Sequence, residues 1–285
     1  MSWNGFAVAL ALAVSTALPA AAQSALPGNW TLSSGESPDR VRLTIRVDAA
    51  PSDHSGSSAD VDPGVLGLSQ AQLGSGGERA HFTLAREAGS FVCDGWIGHG
   101  EGGGTLIFTP SSAYRAAMAS LGYDLTPEQQ ASAATVDVTT AYTKQIESTG
   151  FEHLPIGQLL AFRALGIDEA YVRSLRSEFP GTGIDAGNAI SMRALHVTAG
   201  YVDGLRAAGV GVASPANAVA LKALRVDLDY VRALAAAGYP HLTADQLLQL
   251  RALHIDAAYV ARVRAHGIKQ PSVEELVRLK AMGLI

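Results

Sequence analysis

Cysteine is nearly absent from this 285-residue chain, which carries only Cys93. A single thiol can form neither an internal disulfide nor a cysteine cluster for a metal, so packing has to hold the fold. Cys93 itself reads as a small buried apolar residue. Charge is sparse as well, at 16% of residues with a formal net charge of −5. Without a basic excess to neutralise phosphates, a nucleic-acid partner is not expected. Catalytic signatures are missing: the sequence has no Gly-x-Ser-x-Gly elbow and no His-Glu-x-x-His zinc helix. The glycine-rich run at residues 98–104 lacks the Gly-Lys-Ser/Thr ending of a phosphate loop. No cofactor or metal is predicted.

Long apolar runs are confined to the N-terminus. Residues 6–22 are apolar and end in Ala20-Ala21-Ala22, the small-residue pattern of a signal-peptidase site. The run is shorter than the ~20 residues that span a bilayer. A signal peptide over 1–22, cut after Ala22, and a periplasmic or secreted mature protein are therefore expected. The first five residues carry no Lys or Arg, which leaves an uncleaved anchor as the alternative.

Residues 23–109 carry strand signals and predict a small antiparallel β domain. Residues 40–47 (RVRLTIRV) alternate polar and apolar without error, the period of a strand with one wet face. HFTLAR at 81–86, FVCDGWI at 91–97 and TLIF at 105–108 follow. Between the last two, residues 98–104 read as a flexible hairpin connection. The polar, Ser-rich residues 51–62 read as a loop or local disorder.

From Pro110 onward the period changes to that of a repeat. Tyr114, Tyr142, Tyr171, Tyr201, Tyr230 and Tyr259 are separated by 28, 29, 30, 29 and 29 residues. An apolar residue stands four before each of the last five (Val138, Ile167, Val197, Val226, Ile255) and four after all six. Glycine stands eight after, at Gly122, Gly150, Gly209, Gly238 and Gly267. The exception is Phe179, followed by Pro180-Gly181, in the stretched unit. Thr139, Asp168, Thr198, Asp227 and Asp256 lie three before the tyrosine, where they would cap a short helix B. Thr126, Ser214, Thr243 and Ser272 would open a helix A, with Gln129, Gln246 and Glu275 completing capping boxes. The chain is thus expected to be α+β, with an α-helical repeat array of two-helix units over 110–285. Helices of about ten residues are marginal alone, so stacking must stabilise them.

Several columns could carry chemistry. Arg163, Arg193, Lys222, Arg251 and Lys280 stand one repeat apart and would form a ladder of cations able to grip a partner. Each also lies near the end of helix A, where a cation complements carbonyls and the helix dipole for ~0.3–1 kcal/mol. The 16 basic and 16 acidic residues from Pro110 onward balance, which favours the structural role. The tyrosines sit on the apolar stripe of helix B and read as core rings with the hydroxyl at the edge. His196 and His254 fall at the turn between helices A and B. His99 and Glu101, in the glycine-rich run, lack the third group that a catalytic or metal site needs.

The unit LRALHIDAAYV at 250–260, followed by Val263, Arg264, Ala265, His266 and Gly267, resembles the short helical repeats that follow the peptidase part of regulatory metallopeptidases of the BlaR1/MecR1 type. The resemblance covers about Tyr114 to the C-terminus and lacks the zinc motif, so it carries over no catalytic residue. It implies a bacterial envelope setting and a sensory or regulatory context. The leading expectation is an exported, non-enzymatic binding or scaffold protein whose array meets a protein partner. An envelope sensory or regulatory protein, whose β domain or array recognises a cell-wall glycan or peptide or an antibiotic-stress ligand, is the alternative, and an enzyme centred on His99 and Glu101 a third.

Overall fold

The computed structural model describes residues 25–48 and 54–284. The expected signal segment lies outside the described residues. The chain is α+β, as the sequence predicts: a six-stranded antiparallel sheet followed by stacked short helices. The strands are β1 (Leu26–Ser34), β2 (Val41–Asp48), β3 (His54–Val61), β4 (Glu78–Arg86), β5 (Gly89–Gly98) and β6 (Glu101–Pro110). Their order, β3-β2-β1-β6-β5-β4, places two three-stranded meanders side by side with β1 and β6 at the centre. A 3₁₀ turn (Pro63–Leu66) and the short helix α1 (Gln70–Leu73) link the outer strands β3 and β4.

Two sequence expectations are corrected. Within the segment read as a loop, residues 54–61 form β3, paired with β2 from Val41↔Val61 to Asp48↔His54. As an edge strand, it is held by backbone pairing and needs no run of apolar side chains. The glycine-rich run is not a flexible connection either. Only His99 and Gly100 turn the chain, and residues 102–104 are strand, paired with both β1 and β5. Trp30 explains this: its indole is 1% exposed and donates from Nε1 to the Asp94 carbonyl at 3.2 Å. A Cβ at Gly95 would fall 2.7 Å from that indole, and one at Gly102 3.1 Å from it. The missing side chains make room for the tryptophan, which also meets Phe82 edge-on with centroids 5.0 Å apart.

One face of the sheet is buried and the other wet, as the alternation in β2 and β4 shows. Helix α3 (Pro127–Val136) covers the buried face, contacting β2, β3, β5 and β6. Its Ala131, Ala133 and Ala134 are fully buried, and these small residues allow sheet and helix to approach on several sides at once. The apolar core is continuous from Trp30 through the array to Leu276.

The array alternates helices A and B in two layers. The A layer is α3, α5 (Ile156–Ala164), α7 (Ala186–Ala194), α9 (Pro215–Ala223), α11 (Ala244–Ala252) and α13 (Val273–Ala281). The B layer is α2 (Ser112–Ser120), α4 (Thr140–Ser148), α6 (Glu169–Glu178), α8 (Ala199–Ala207), α10 (Leu228–Ala236) and α12 (Ala257–Ala265). Each A helix packs on the next A helix, and B helices pack on B in the pairs α2 with α4 and α8 with α10. Thr139, Asp168, Thr198, Asp227 and Asp256 each accept from the backbone N–H of the tyrosine three residues on. The capping boxes at Thr126, Thr243 and Ser272 are closed in both directions.

Asp137, Gly166, His196, Arg225 and His254 stand five before successive tyrosines, and all are left-handed, with φ between 52° and 65°. This is the residue that ends helix A in the αL conformation and frees the chain to start helix B. The conformation costs a non-glycine residue roughly 1–2 kcal/mol, against roughly 0.4–1 kcal/mol for the extra unfolded-state freedom of glycine. His254→Gly should therefore raise stability by about 0.5–1 kcal/mol, whereas Gly166→Ala should lower it by a similar amount or more. Urea unfolding of the two variants beside the parent checks both signs.

Candidate functional site

The predicted ladder of cations exists, but it faces its own array. Arg163 stacks over Tyr142 at 5.2 Å from the ring centroid, Arg193 over Tyr171 at 4.9 Å and Lys222 over Tyr201 at 4.6 Å. Arg251 over Tyr230 and Lys280 over Tyr259, both at 4.7 Å, continue the series. Every cation comes from the unit after its tyrosine, so each stack joins two units. The arginines also donate from Nε to the end of the preceding A helix: Arg163 to the Asp137 carbonyl, Arg193 to Leu165 and Arg251 to Leu224, at 2.9 to 3.1 Å. The carbonyls satisfied are therefore a neighbour's, not those of the arginine's own helix as the sequence suggests.

The tyrosine hydroxyls add a second tie. Tyr114 donates to the Val138 carbonyl at 2.9 Å, Tyr142 to Ile167 at 2.7 Å, Tyr201 to Val226 at 2.8 Å and Tyr230 to Ile255 at 2.6 Å. Each acceptor is the apolar residue four before the next tyrosine. Tyr171, at the start of the 30-residue step, and Tyr259, in the last B helix, are the exceptions: each hydroxyl oxygen is buried with no partner. Burial pushes the Tyr201 and Tyr230 phenols up to about 12, moving both still further from ionisation. A second set of cations ties the B layer, with Arg206 donating to the Glu178 carbonyl and Arg264 to Ala237. The sequence reading missed this column, five after the tyrosine, because only Arg176, Arg206 and Arg264 fill it with a cation, while Ala119, Glu147 and Ala235 do not.

The array is joined to the sheet through the β4–β5 turn. Thr140 donates to Glu87 from both its backbone N–H and its hydroxyl, and Ser111 N–H donates to the Ala88 carbonyl. Arg163 and Arg86 flank the Asp137 carboxylate at 3.0 and 3.6 Å. Cys93 lies in the sheet core, where burial raises its thiol to about 12, out of the reactive range. His99 and Glu101 sit exposed on the β5–β6 turn, which backbone bonds from His99 and Gly100 to Ser75 and Leu73 hold against α1.

The open face of the sheet presents what the array does not. Trp96 is 58% exposed and carries Arg79 at 5.9 Å from its ring centroid. One row along, His81 Nδ1 lies 2.7 Å from Asp94 Oδ1. Together with Gly103 and Thr105 these side chains line a shallow recess of about 540 Å³. The alternation of residues 91–97 places Trp96 on the wet face with Asp94 and opposite to Phe91 and Cys93. An aromatic on a wet face is the signal that the sequence offers for this recess. Among the described residues no helix is long and apolar enough to cross a membrane, and no three metal-ligating side chains come together. No family model, curated protein or solved structure matches the chain.

Proposed function

We propose that this chain is an exported, non-enzymatic binding or scaffold protein whose helical array meets a protein partner in the periplasm or outside the cell. The observation that carries the reading is a division of labour between repeat positions. The positions facing neighbouring units recur: tyrosine, cation, cap and apolar residue. The position two after the tyrosine is exposed in every unit and is not held constant: Ala116, Lys144, Arg173, Asp203, Arg232 and Ala261 are four residue types in six units. A constant frame carrying a variable face is how solenoids present an extended binding surface.

Photo-crosslinking residues placed at 144, 173, 203 and 232 in producing cells test this. Adjacent positions should trap the same partner, from an extracytoplasmic fraction in which the mature chain begins at Gln23. Crosslinks that are absent, or that differ at every position, would count against the array as a binding surface. Turnover of an envelope substrate by the purified protein, abolished by His99→Ala, would replace the reading with an enzymatic one.

A further inference from the structure

Glycine occupies three consecutive positions in β6, and the core accounts for only two of them. A Cβ at Gly102 would press on Ile97 at 2.8 Å, and one at Gly104 would lie 2.0 Å from the Asp94 carbonyl oxygen. Gly103 points the other way, onto the open face. A Cβ there would meet nothing closer than the Trp30 carbonyl oxygen at 3.4 Å, an ordinary contact. Its φ is not in the left-handed region, so backbone conformation does not demand glycine either. A bare backbone within a strand, unexplained by packing, marks a place where something approaches closely.

Beside it stands Trp96, its register partner on β5, flanked on the other side by Arg79 of β4. The next row supplies a second observation. His81, Asp94 and Thr105 are register neighbours there, and the His81–Asp94 contact holds the carboxylate in place. The recess therefore has an aromatic wall, a floor without side chains, and polar groups one strand step away. Its volume falls within the roughly 300–1,000 Å³ of small-molecule sites, and it is open rather than enclosed, with a lining that mixes apolar and polar surface. A protein partner would need a contiguous apolar centre, and the single indole ringed by polar side chains does not offer one.

We infer that this recess is a binding site for a neutral saccharide. A pyranose ring has an apolar C–H face and a rim of hydroxyls. The face lies against the Trp96 indole above Gly103, and the rim donates to Asp94 and accepts from Arg79 and Thr105. Such a ligand matches the recess in polarity as well as shape, and its charge neutrality fits the presence of one guanidinium and one carboxylate. The site is separate from the array, so failure of the saccharide assignment and failure of the array reading are distinguishable.

The test is calorimetric titration of the purified mature protein with chitotetraose, cellotetraose and maltotetraose, together with tryptophan fluorescence. At least one probe should bind with a Kd between micromolar and millimolar. Trp96→Ala and Gly103→Thr should each weaken it by about tenfold or more, and Asp94→Asn by several-fold, with each variant still unfolding cooperatively. Should Gly103→Thr unfold the sheet, Trp96→Ala alone decides, because its exposed side chain carries no core packing. Absence of binding by all three probes, or equal binding to Trp96→Ala, overturns the assignment. So does preferential binding of a free aromatic such as indole over every sugar.

Discussion

Tyr142→Ala should cost about 4 kcal/mol, the loss of a large core ring, and lower the thermal midpoint by on the order of 10 °C. The ring is buried, so the deletion leaves a cavity in the first full unit of the array. It also removes the acceptor-seeking hydroxyl from the Ile167 carbonyl and the stacking surface from Arg163. Tyr142→Phe separates these effects. It keeps the ring and the cation stack but strands one buried carbonyl, for about 1–2 kcal/mol. Tyr171→Phe provides the control, because the Tyr171 hydroxyl has no partner to lose. It should be neutral or slightly stabilising. Denaturant unfolding of the three variants is decisive: equal costs for Tyr142→Phe and Tyr171→Phe would show that the hydroxyl–carbonyl bond does not tie the units.

A second large effect is expected from one methyl group in the sheet. In Gly104→Ala the new Cβ would sit 2.0 Å from the Asp94 carbonyl oxygen and 2.7 Å from the Gly95 Cα, both backbone atoms that cannot step aside. The β5–β6 ladder must part locally, and with it the seat of Trp30. A loss beyond about 4 kcal/mol, or failure to accumulate as soluble protein, follows. Gly103→Ala, one residue away, should change stability by no more than about 0.5–1 kcal/mol, and in the stabilising direction, since alanine loses less freedom in a strand than glycine. Near-equal losses in the two variants would refute the account of Gly104 as a position closed by the β5 backbone.

Much of the array was legible because its physics is local and repeated. A cap, an apolar stripe and a glycine stop each act within one helix, and six copies make the columns unmistakable. The function of the cations was less legible. Arg193 and Tyr171 are 22 residues apart, and only the stacking of successive units shows that they meet. The sheet was read in part. β2 and β4 have one wet and one dry face and keep a clean alternation, whereas β1 hides its pattern behind Pro27 and Gly28. β3 hides its own because an edge strand made of Ser, Gly and Ala buries little. The glycine run misled for a related reason: flexibility is a property of isolated glycines, and here a tryptophan some 70 positions earlier takes the space. The recess at Trp96 depends on register across β4, β5 and β6, which no single stretch of sequence contains.

The 30-residue step between Tyr171 and Tyr201 bears on how such a chain can change over generations. Where the unit lengthens by a residue, the hydroxyl bond is gone while Arg193 still reaches the ring. Tyrosine is a rigid strut of fixed length and arginine a jointed arm, so of the two fastenings between units one checks spacing and the other forgives it. An array built this way absorbs a single-residue insertion at the loss of one hydrogen bond, without its later units falling out of step. A one-residue change in repeat length is thereby compatible with the stacking of the units that follow, where Lys222 and Arg251 still cover their tyrosines.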